Sequence, residues 1–184
     1  MAMAGSLPMP SAPRTTIGGR VLIAALAGAA VALIVLNRAY RTAEMALASG
    51  ILNVVTSSGV YLAAKRQTVY FGLGTDHPFG LQMSPECTSA FLVLPLLVVG
   101  AIMIGLRPRI AGRVLGALAL ATIAVILVNQ LRILTLVGLI DWLGTDRGYY
   151  WGHTLLGSMV SIIGGAAALV MFVWISTRKP KAER

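Results

Sequence analysis

Long apolar runs separated by polar or basic residues dominate the chain. They lie at about residues 17–36, 87–106, 110–128 and 154–175, and the third can be extended to residue 143. Each run has roughly the 20 residues that a helix needs to cross a hydrocarbon core of about 30 Å. The pattern therefore predicts an all-α polytopic membrane protein, built as a helical bundle of about four to five transmembrane helices.

The chain between the first two runs has a different pattern. Residues 43–64 are apolar but include Glu44, Asn53 and several hydroxyl side chains, so an amphipathic or re-entrant helix is predicted there and a fifth span stays open. Residues 67–83 alternate apolar and polar positions and then reach Gly-Thr-Asp-His-Pro at 74–78. This second pattern predicts a short extracytoplasmic hairpin or an irregular loop.

Composition and charge support the membrane assignment. Of 184 residues, 57% are hydrophobic and 11% are charged, whereas soluble domains have about 25% charged residues. The formal net charge is +9, but most basic residues flank the apolar runs instead of forming a groove-like stripe. We therefore expect no nucleic-acid partner, and we expect the lipid bilayer to be the main environment of the chain.

The distribution of basic residues also predicts topology and domain limits. The loop with Arg107, Arg109 and Arg113 and the tail at 178–184 should face the cytoplasm. Residues 1–16 are predicted to be a disordered cytoplasmic tail, residues 17–177 a single transmembrane domain, and residues 178–184 a basic cytoplasmic tail. The segment 67–86 and the loop predicted at 141–152 should then lie on the extracytoplasmic side of the membrane. Four basic residues fit this topology less well, at positions 38, 41, 65 and 66.

Three polar residues are predicted to lie at one depth. Measured from the basic cytoplasmic ends at about 1.5 Å per helical residue, Cys87, Arg132 and His153 are roughly 30, 28 and 37 Å away. All three therefore fall near the extracytoplasmic interface, each on a different span. A thiol, a permanent cation and an imidazole at one level form a candidate reactive site.

The residues around Cys87 are typical of a helix start. Ser84 is suited to the N-cap and Pro85 to the first helical position. Cys87 would then lie in the first turn, where the positive end of the helix dipole favours a thiolate. Glu86 opposes that effect unless it orients a partner.

Each of the three residues also has a less specific interpretation. A single cysteine allows no intramolecular disulfide or four-cysteine zinc site, and Cys87 would most simply be a small buried hydrophobe. Arg132, which shares a helix face with Asn129 three residues earlier, would be a snorkelling anchor. His153 would be a satisfied polar residue at the interface.

These motifs resemble the exosortase/archaeosortase family of membrane cysteine transpeptidases. The matching pieces are Glu86-Cys87-Thr88-Ser89-Ala90, Asn129-Gln130-Leu131-Arg132 and His153, in that order. The similarity covers roughly residues 38–174, although this chain is shorter and has fewer spans than many family members. It implies a sortase-like domain over 17–177, located in the plasma membrane with its active site outside.

The resemblance implies a cysteine peptidase or transpeptidase that needs no cofactor and no metal. Its partners would be membrane-anchored proteins with a C-terminal sorting signal, cleaved with or without transfer to an acceptor, and a partner membrane protein that acts with this chain also stays open. Cys87 is then the nucleophile, His153 the general base and acid, and Arg132 the group that stabilises the oxyanion. Asn129 would orient Arg132 or His153, and Thr88, Ser89 and Glu86 would support the site.

Two other classes of function stay open from the sequence. One is a non-enzymatic integral membrane protein, such as an assembly factor or transporter subunit, in which Cys87 is inert. The other is a haem protein that uses His77 and His153 as axial ligands. The first predicts that Cys87 is dispensable, and the second has both histidines on the same predicted side of the membrane but His77 in a loop instead of in the bundle.

Overall fold

The computed structural model describes residues 17–56, 59–74 and 78–178, without the side chain of Glu86. The tail predicted at 1–16, and all but Arg178 of the tail predicted at 178–184, lie outside the described residues. Within the described part the chain is mostly helical, and it also contains a small sheet.

The apolar runs form four main helices, which are α1 (Ile17–Val35), α3 (Ala90–Leu106), α4 (Ala111–Leu143) and α6 (Gly157–Thr177). Three helical stretches are long and apolar enough to cross a membrane, at Ile17–Val35, Pro108–Leu143 and Thr145–Thr177. Helix α3 is apolar but has only 17 residues, or about 25 Å of rise. The helices thus indicate a membrane protein with three candidate spans and one shorter apolar helix beside them.

Helix α4 is longer than the hydrocarbon core. Its 33 residues run without interruption through Arg132 to Leu143, which corresponds to about 50 Å of rise. A bilayer core measures about 30 Å, so α4 is longer than a perpendicular span requires. Arg132 and the surfaces on which the rest of the site assembles belong to its second half.

The prediction that residues 141–152 form a loop is wrong, because most of that segment is helical. Gly144, with φ of +79°, ends α4. The chain then forms α5 (Thr145–Tyr149) and a π-helical turn (Tyr150–Leu156) that continues directly into α6. Helix α5 packs closely on the end of α4: a Cβ at Gly148 would lie 2.5 Å from the Cα of Ile140. A glycine at this position allows the two helical backbones to approach.

Helix α2 (Asn37–Val55) follows α1 after a single residue and is amphipathic, as predicted for this region. It does not continue to residue 64. Instead β1 (Gly59–Ala63) begins a three-stranded antiparallel sheet with β2 (Thr68–Leu73) and β3 (Phe79–Gln82). The predicted hairpin is formed by β2 and β3, but the all-α class missed this sheet. The Val-Tyr-Leu sequence in β1 suits a strand, and pairing with β2 outweighs any helical continuation.

Two apolar cores lie along α4. The membrane cluster joins α1, α3, α4 and α6 and consists of Leu26, Val93, Leu96, Ile104, Val114, Ala117, Leu118, Ala121, Val125, Ala168 and Phe172. The sheet cluster joins α2, the sheet and the second half of α4, and consists of Met45, Ala48, Leu52, Val69, Phe71, Met83, Ile133 and Val137. Between the two clusters, α4 carries the polar residues Asn129, Gln130 and Arg132.

The basic residues at the start of α4 and at the end of α6 lie at the end of the bundle opposite this polar layer. Arg113, near the start of α4, donates a hydrogen bond of 2.7 Å to the backbone oxygen of Arg178, just after α6. Two of the basic residues that fitted the predicted topology poorly bind the sheet region instead. Arg38 donates to the Lys65 oxygen at 3.0 Å, and Arg41 donates to the Met83 oxygen at 3.1 Å. Arg38 thus fixes α2 to the turn between β1 and β2, and Arg41 fixes it to the chain that leads to Cys87.

Candidate active site

Cys87 ends a short 3₁₀ turn (Pro85–Cys87) and lies outside α3, which begins at Ala90. The prediction that Cys87 occupies the first turn of the apolar helix is therefore wrong, because Thr88 is extended with φ of −94° and ψ of 148°. Ser84 makes no capping bond, and its hydroxyl donates to the Cys87 Sγ at 3.2 Å. The sulfur, which is half-buried, thus receives a side-chain donor in place of a helix dipole.

Arg132 reaches the same sulfur from α4. Its Nη2 donates to the Cys87 Sγ at 3.6 Å, across 45 residues of sequence. The space for its guanidinium depends on Gly157, where a Cβ would lie 2.8 Å from the Arg132 Nε and 2.9 Å from the Gly152 oxygen. A cation beside a cysteine sulfur stabilises the thiolate, which is the nucleophilic form.

His153 approaches the sulfur from the π-helical turn. Its Nδ1 lies 4.0 Å from the Cys87 Sγ, and the tautomer decides which atom donates. The Tyr149 ring stacks on the imidazole with centroids 4.9 Å apart and planes 15° apart. The π-helical turn and this stacking together orient the ring towards the thiol.

Glu44, on α2, is a member of this site that the sequence analysis did not select. It is only 5% exposed, and its carboxylate accepts hydrogen bonds from the Thr88 hydroxyl, from the Ser89 backbone N–H at 3.2 Å and from the Asn129 amide at 3.1 Å. The signal in the sequence was its spacing, because Glu44 lies on the same helical stripe as Ala48 and Leu52, which are buried.

The supporting residues named from the sequence have different positions. Thr88, Ser89 and Asn129 are buried and connected to Glu44, whereas the side chain of Glu86 lies outside the described part of the chain. The Ser89 hydroxyl also forms a 2.6 Å hydrogen bond with the Tyr40 hydroxyl. Burial raises the pKa of Tyr40, so this phenol keeps its proton at neutral pH.

A pocket of about 440 Å³ opens over these groups. Cys87, Arg132 and His153 line it together with side chains of α3 and α6, among them Phe91 and Ile162. Phe91 is 70% exposed and Ile162 is 71% exposed. The pocket therefore combines a polar, reactive end with an apolar flank between two helices.

The described residues, 17–56, 59–74 and 78–178, contain no cluster of metal ligands. No group of three or more His, Cys, Asp or Glu side chains in these residues is placed to hold a metal ion. The two-histidine hypothesis needs His77, which lies outside the described residues. His153, the other proposed axial ligand, faces Cys87.

Comparisons of the chain with protein-family models, curated proteins and solved structures give no match. The function is therefore inferred from the chemistry and geometry of the side chains described above.

Proposed function

We propose that the protein is a membrane-embedded cysteine peptidase or transpeptidase. It would cleave C-terminal sorting signals of exported proteins, at the extracytoplasmic face of the plasma membrane, with or without transfer to an acceptor. One observation carries the proposal: the Cys87 Sγ lies within 3.6 Å of the Arg132 Nη2 and 4.0 Å of the His153 Nδ1. The three residues come from three separate segments, which supports a reactive site over chance proximity.

The geometry suits acyl transfer through a thioester. His153 takes the Cys87 proton, and the thiolate attacks the carbonyl carbon, so that a C–S bond forms and the carbonyl electron pair moves to oxygen. Arg132 stabilises that oxyanion. When the intermediate collapses, the C–N bond breaks and His153 protonates the leaving amine. Water or an amine of an acceptor then gives a proton to His153 and attacks the thioester, so that a C–O or C–N bond forms, the C–S bond breaks and the Cys87 sulfur takes the proton back from His153.

The Cys87–His153 distance is long for proton transfer in the resting protein. Catalytic hydrogen bonds are often loose without substrate and shorten in the reactive complex. A modest rotation of the Cys87 side chain or of the imidazole would close the gap, and the 440 Å³ pocket leaves room for either movement.

The position in the membrane supports a membrane-anchored substrate. The site lies at the opposite end of the bundle from Arg113 and Arg178, whose end should face the cytoplasm because basic residues favour that side. The pocket flank between α3 and α6 exposes Phe91 and Ile162. An apolar flank of this kind suits the helix of a membrane-anchored protein, whose extended segment would enter the polar end.

The proposal is tested in cells that naturally contain the protein. Strains with the wild type and with Cys87→Ala are compared by mass spectrometry of the C-terminal peptides of their exported membrane proteins, with equal amounts of both forms in the membrane. We expect a set of proteins to lose a C-terminal apolar segment only in the wild type. A protein adduct on the wild-type enzyme should also be released by hydroxylamine, which cleaves thioesters.

Labelling of intact cells with a membrane-impermeant thiol reagent tests the orientation, and it is unambiguous because Cys87 is the only cysteine. We expect Cys87 to react from outside. Identical C-terminal peptides in the two strains, together with an unreactive Cys87 even after permeabilisation, would favour a non-enzymatic membrane subunit.

A further inference from the structure

Glu44 connects the two sides of the candidate site. We propose that it is a positioning residue, which holds Cys87 and Arg132 at the separation that acyl transfer requires. This inference rests on the proposed function, since it assigns a role in the same site. Glu44 does not line the pocket, so it acts through the residues that it binds.

One set of contacts fixes the chain directly after Cys87. Glu44 accepts from the Thr88 hydroxyl and from the Ser89 N–H. Thr88 is extended, and although the Thr88 and Ser89 carbonyls accept hydrogen bonds from the first turn of α3, the Ser89 N–H precedes the helix and needs an acceptor outside it. Helix α2 supplies this acceptor through the Glu44 carboxylate. The hydrogen bond between the Tyr40 and Ser89 hydroxyls adds a second connection from the same helix.

The other contact fixes the face of α4 that carries Arg132. The Asn129 Nδ2 donates to the Glu44 Oε1 at 3.1 Å. Because Asn129 and Arg132 are three residues apart on one helix, they project from the same face. A rotation or shift of α4 that moved Arg132 away from the sulfur would therefore break the bond between Asn129 and Glu44.

A carboxylate suits this connection better than an amide. It offers acceptor sites on both oxygens, and the three groups that face it can all donate. In Glu44→Gln one oxygen becomes an NH₂ group, which can donate only to the Thr88 hydroxyl, because the Ser89 N–H and the Asn129 Nδ2 are donors only. The one remaining oxygen must then accept from both the loop and α4 at a site that is 5% exposed, where a donor without a partner is costly, so the connection between the two sides is weakened.

A purely structural role for Glu44 can be distinguished with a matched control. Gln130 is 3% exposed and donates to the Glu44 backbone oxygen at 3.4 Å. Gln130→Leu therefore removes a buried contact between α4 and α2 but leaves the Glu44 carboxylate and its partners in place. If Glu44 only held α2 against α4, both substitutions would have the same effect on the site.

The test uses the full-length protein in detergent and two alkylating reagents of similar size, neutral iodoacetamide and anionic iodoacetate. Cys87 is the only thiol, so each rate refers to that sulfur. The guanidinium beside it should attract the anion, so Arg132→Gln should lower the ratio of the iodoacetate rate to the iodoacetamide rate about tenfold. We expect Glu44→Gln to lower the same ratio on the order of fivefold, because it releases Arg132 from the sulfur.

Two further variants keep the test decisive. Glu44→Gln combined with Asn129→Asp should recover most of the wild-type ratio, since the new amide can donate to the new carboxylate while its oxygen still accepts from Thr88 and Ser89. If Glu44→Gln does not fold, Asn129→Ala cuts only the contact to α4 and should itself lower the ratio. Gln130→Leu should keep the wild-type ratio.

The proposal is overturned if Glu44→Gln keeps the wild-type ratio, or if Gln130→Leu lowers it equally. It is also overturned if Asn129→Ala leaves the ratio unchanged. These readings need no peptide substrate, so they are independent of whether cleavage is found. If the ratios follow the expectation but no protein is cleaved, the positioning role in the thiol site stands and the proposed peptidase activity fails.

Discussion

In its first half α4 contributes Val114, Ala121 and Val125 to the membrane cluster, whereas its second half carries Arg132 and the face that binds Glu44. The first half packs by shape among apolar side chains, within a helix that is long and apolar enough to cross the bilayer. The second half packs Ile133 and Val137 into the sheet cluster and also makes directed hydrogen bonds to α2 and to the Cys87 sulfur. The difference teaches that the apolar bundle supplies the support and that the polar layer next to it holds the side chains of the candidate site.

The strongest test of this contrast exchanges one arginine for lysine at each end of the bundle. Arg132→Lys keeps the charge but loses the planar fork of donors. We expect the rate of substrate cleavage to fall on the order of 100- to 1,000-fold, as for the loss of an oxyanion donor. Arg107→Lys, at the exposed end of α3, should leave the rate within about twofold. Near-normal cleavage by Arg132→Lys would favour the membrane-anchor interpretation.

The membrane cluster should show the opposite response. Phe172 is fully buried, with 0% exposure, and Phe172→Ala would leave a cavity beside α3 and α4. We expect the free energy of unfolding in detergent to fall by about 3 kcal/mol, while the ratio of Cys87 alkylation rates in the folded protein stays at its wild-type value. Thermal unfolding followed by circular dichroism measures the first quantity. A changed ratio in the folded protein would show that the two halves are coupled.

Gly157 lies at the junction between the two regions and should affect the site more than the fold. A Cβ at this position would lie 2.8 Å from the Arg132 Nε, so Gly157→Ala should push the guanidinium away from the sulfur. We expect about a tenfold loss of cleavage rate, comparable to 1.4 kcal/mol of transition-state stabilisation. Gly112→Ala, where a Cβ meets nothing within 4 Å, is the matched control. Equal rates for both variants would contradict the assigned role of Gly157.

The smallest expected effect is a difference in stability between glycine substitutions in the two halves of α4, whose surroundings differ. Gly116 and Gly138 lie in opposite halves of α4, and a Cβ at either meets nothing within 4 Å. Gly138→Ala should stabilise the protein by about 0.5–1 kcal/mol, because alanine loses less conformational entropy in a helix. Gly116→Ala should gain less in a bilayer, since lipid already imposes helical structure on the chain. Equal gains in lipid nanodiscs would place both glycines in the same environment.

The sequence predicted the membrane half of the molecule better than the polar half. Hydropathy identifies the apolar runs because a span needs length and apolar composition, and both are visible locally. Counting residues from the basic ends also placed Cys87, Arg132 and His153 at one depth, and the structure brings them together. The catalytic roles of these residues stay predictions.

Glu44 and β1 escaped the sequence analysis for a common physical reason. Counting residues gives position along the bundle axis, but it does not give the direction of a side chain around that axis. Glu44 belongs to the site because α2 turns that face towards Asn129, and β1 is a strand because it pairs with β2. Cys87 was likewise assigned to a helix from local capping signals, whereas its position is set by partners distant in sequence.

The π-helical turn at Tyr150–Leu156 has a consequence for the evolution and redesign of this protein. A π turn contains one residue more than an α turn, so it behaves like a single-residue insertion in a helix. Deleting one residue there would restore regular helix and rotate all preceding residues by about 100° relative to α6. The register between α5 and α4 would be lost, and with it the stacking of Tyr149 on His153. Substitutions in this segment other than at Gly152 and His153 should therefore be far better tolerated than any change in its length.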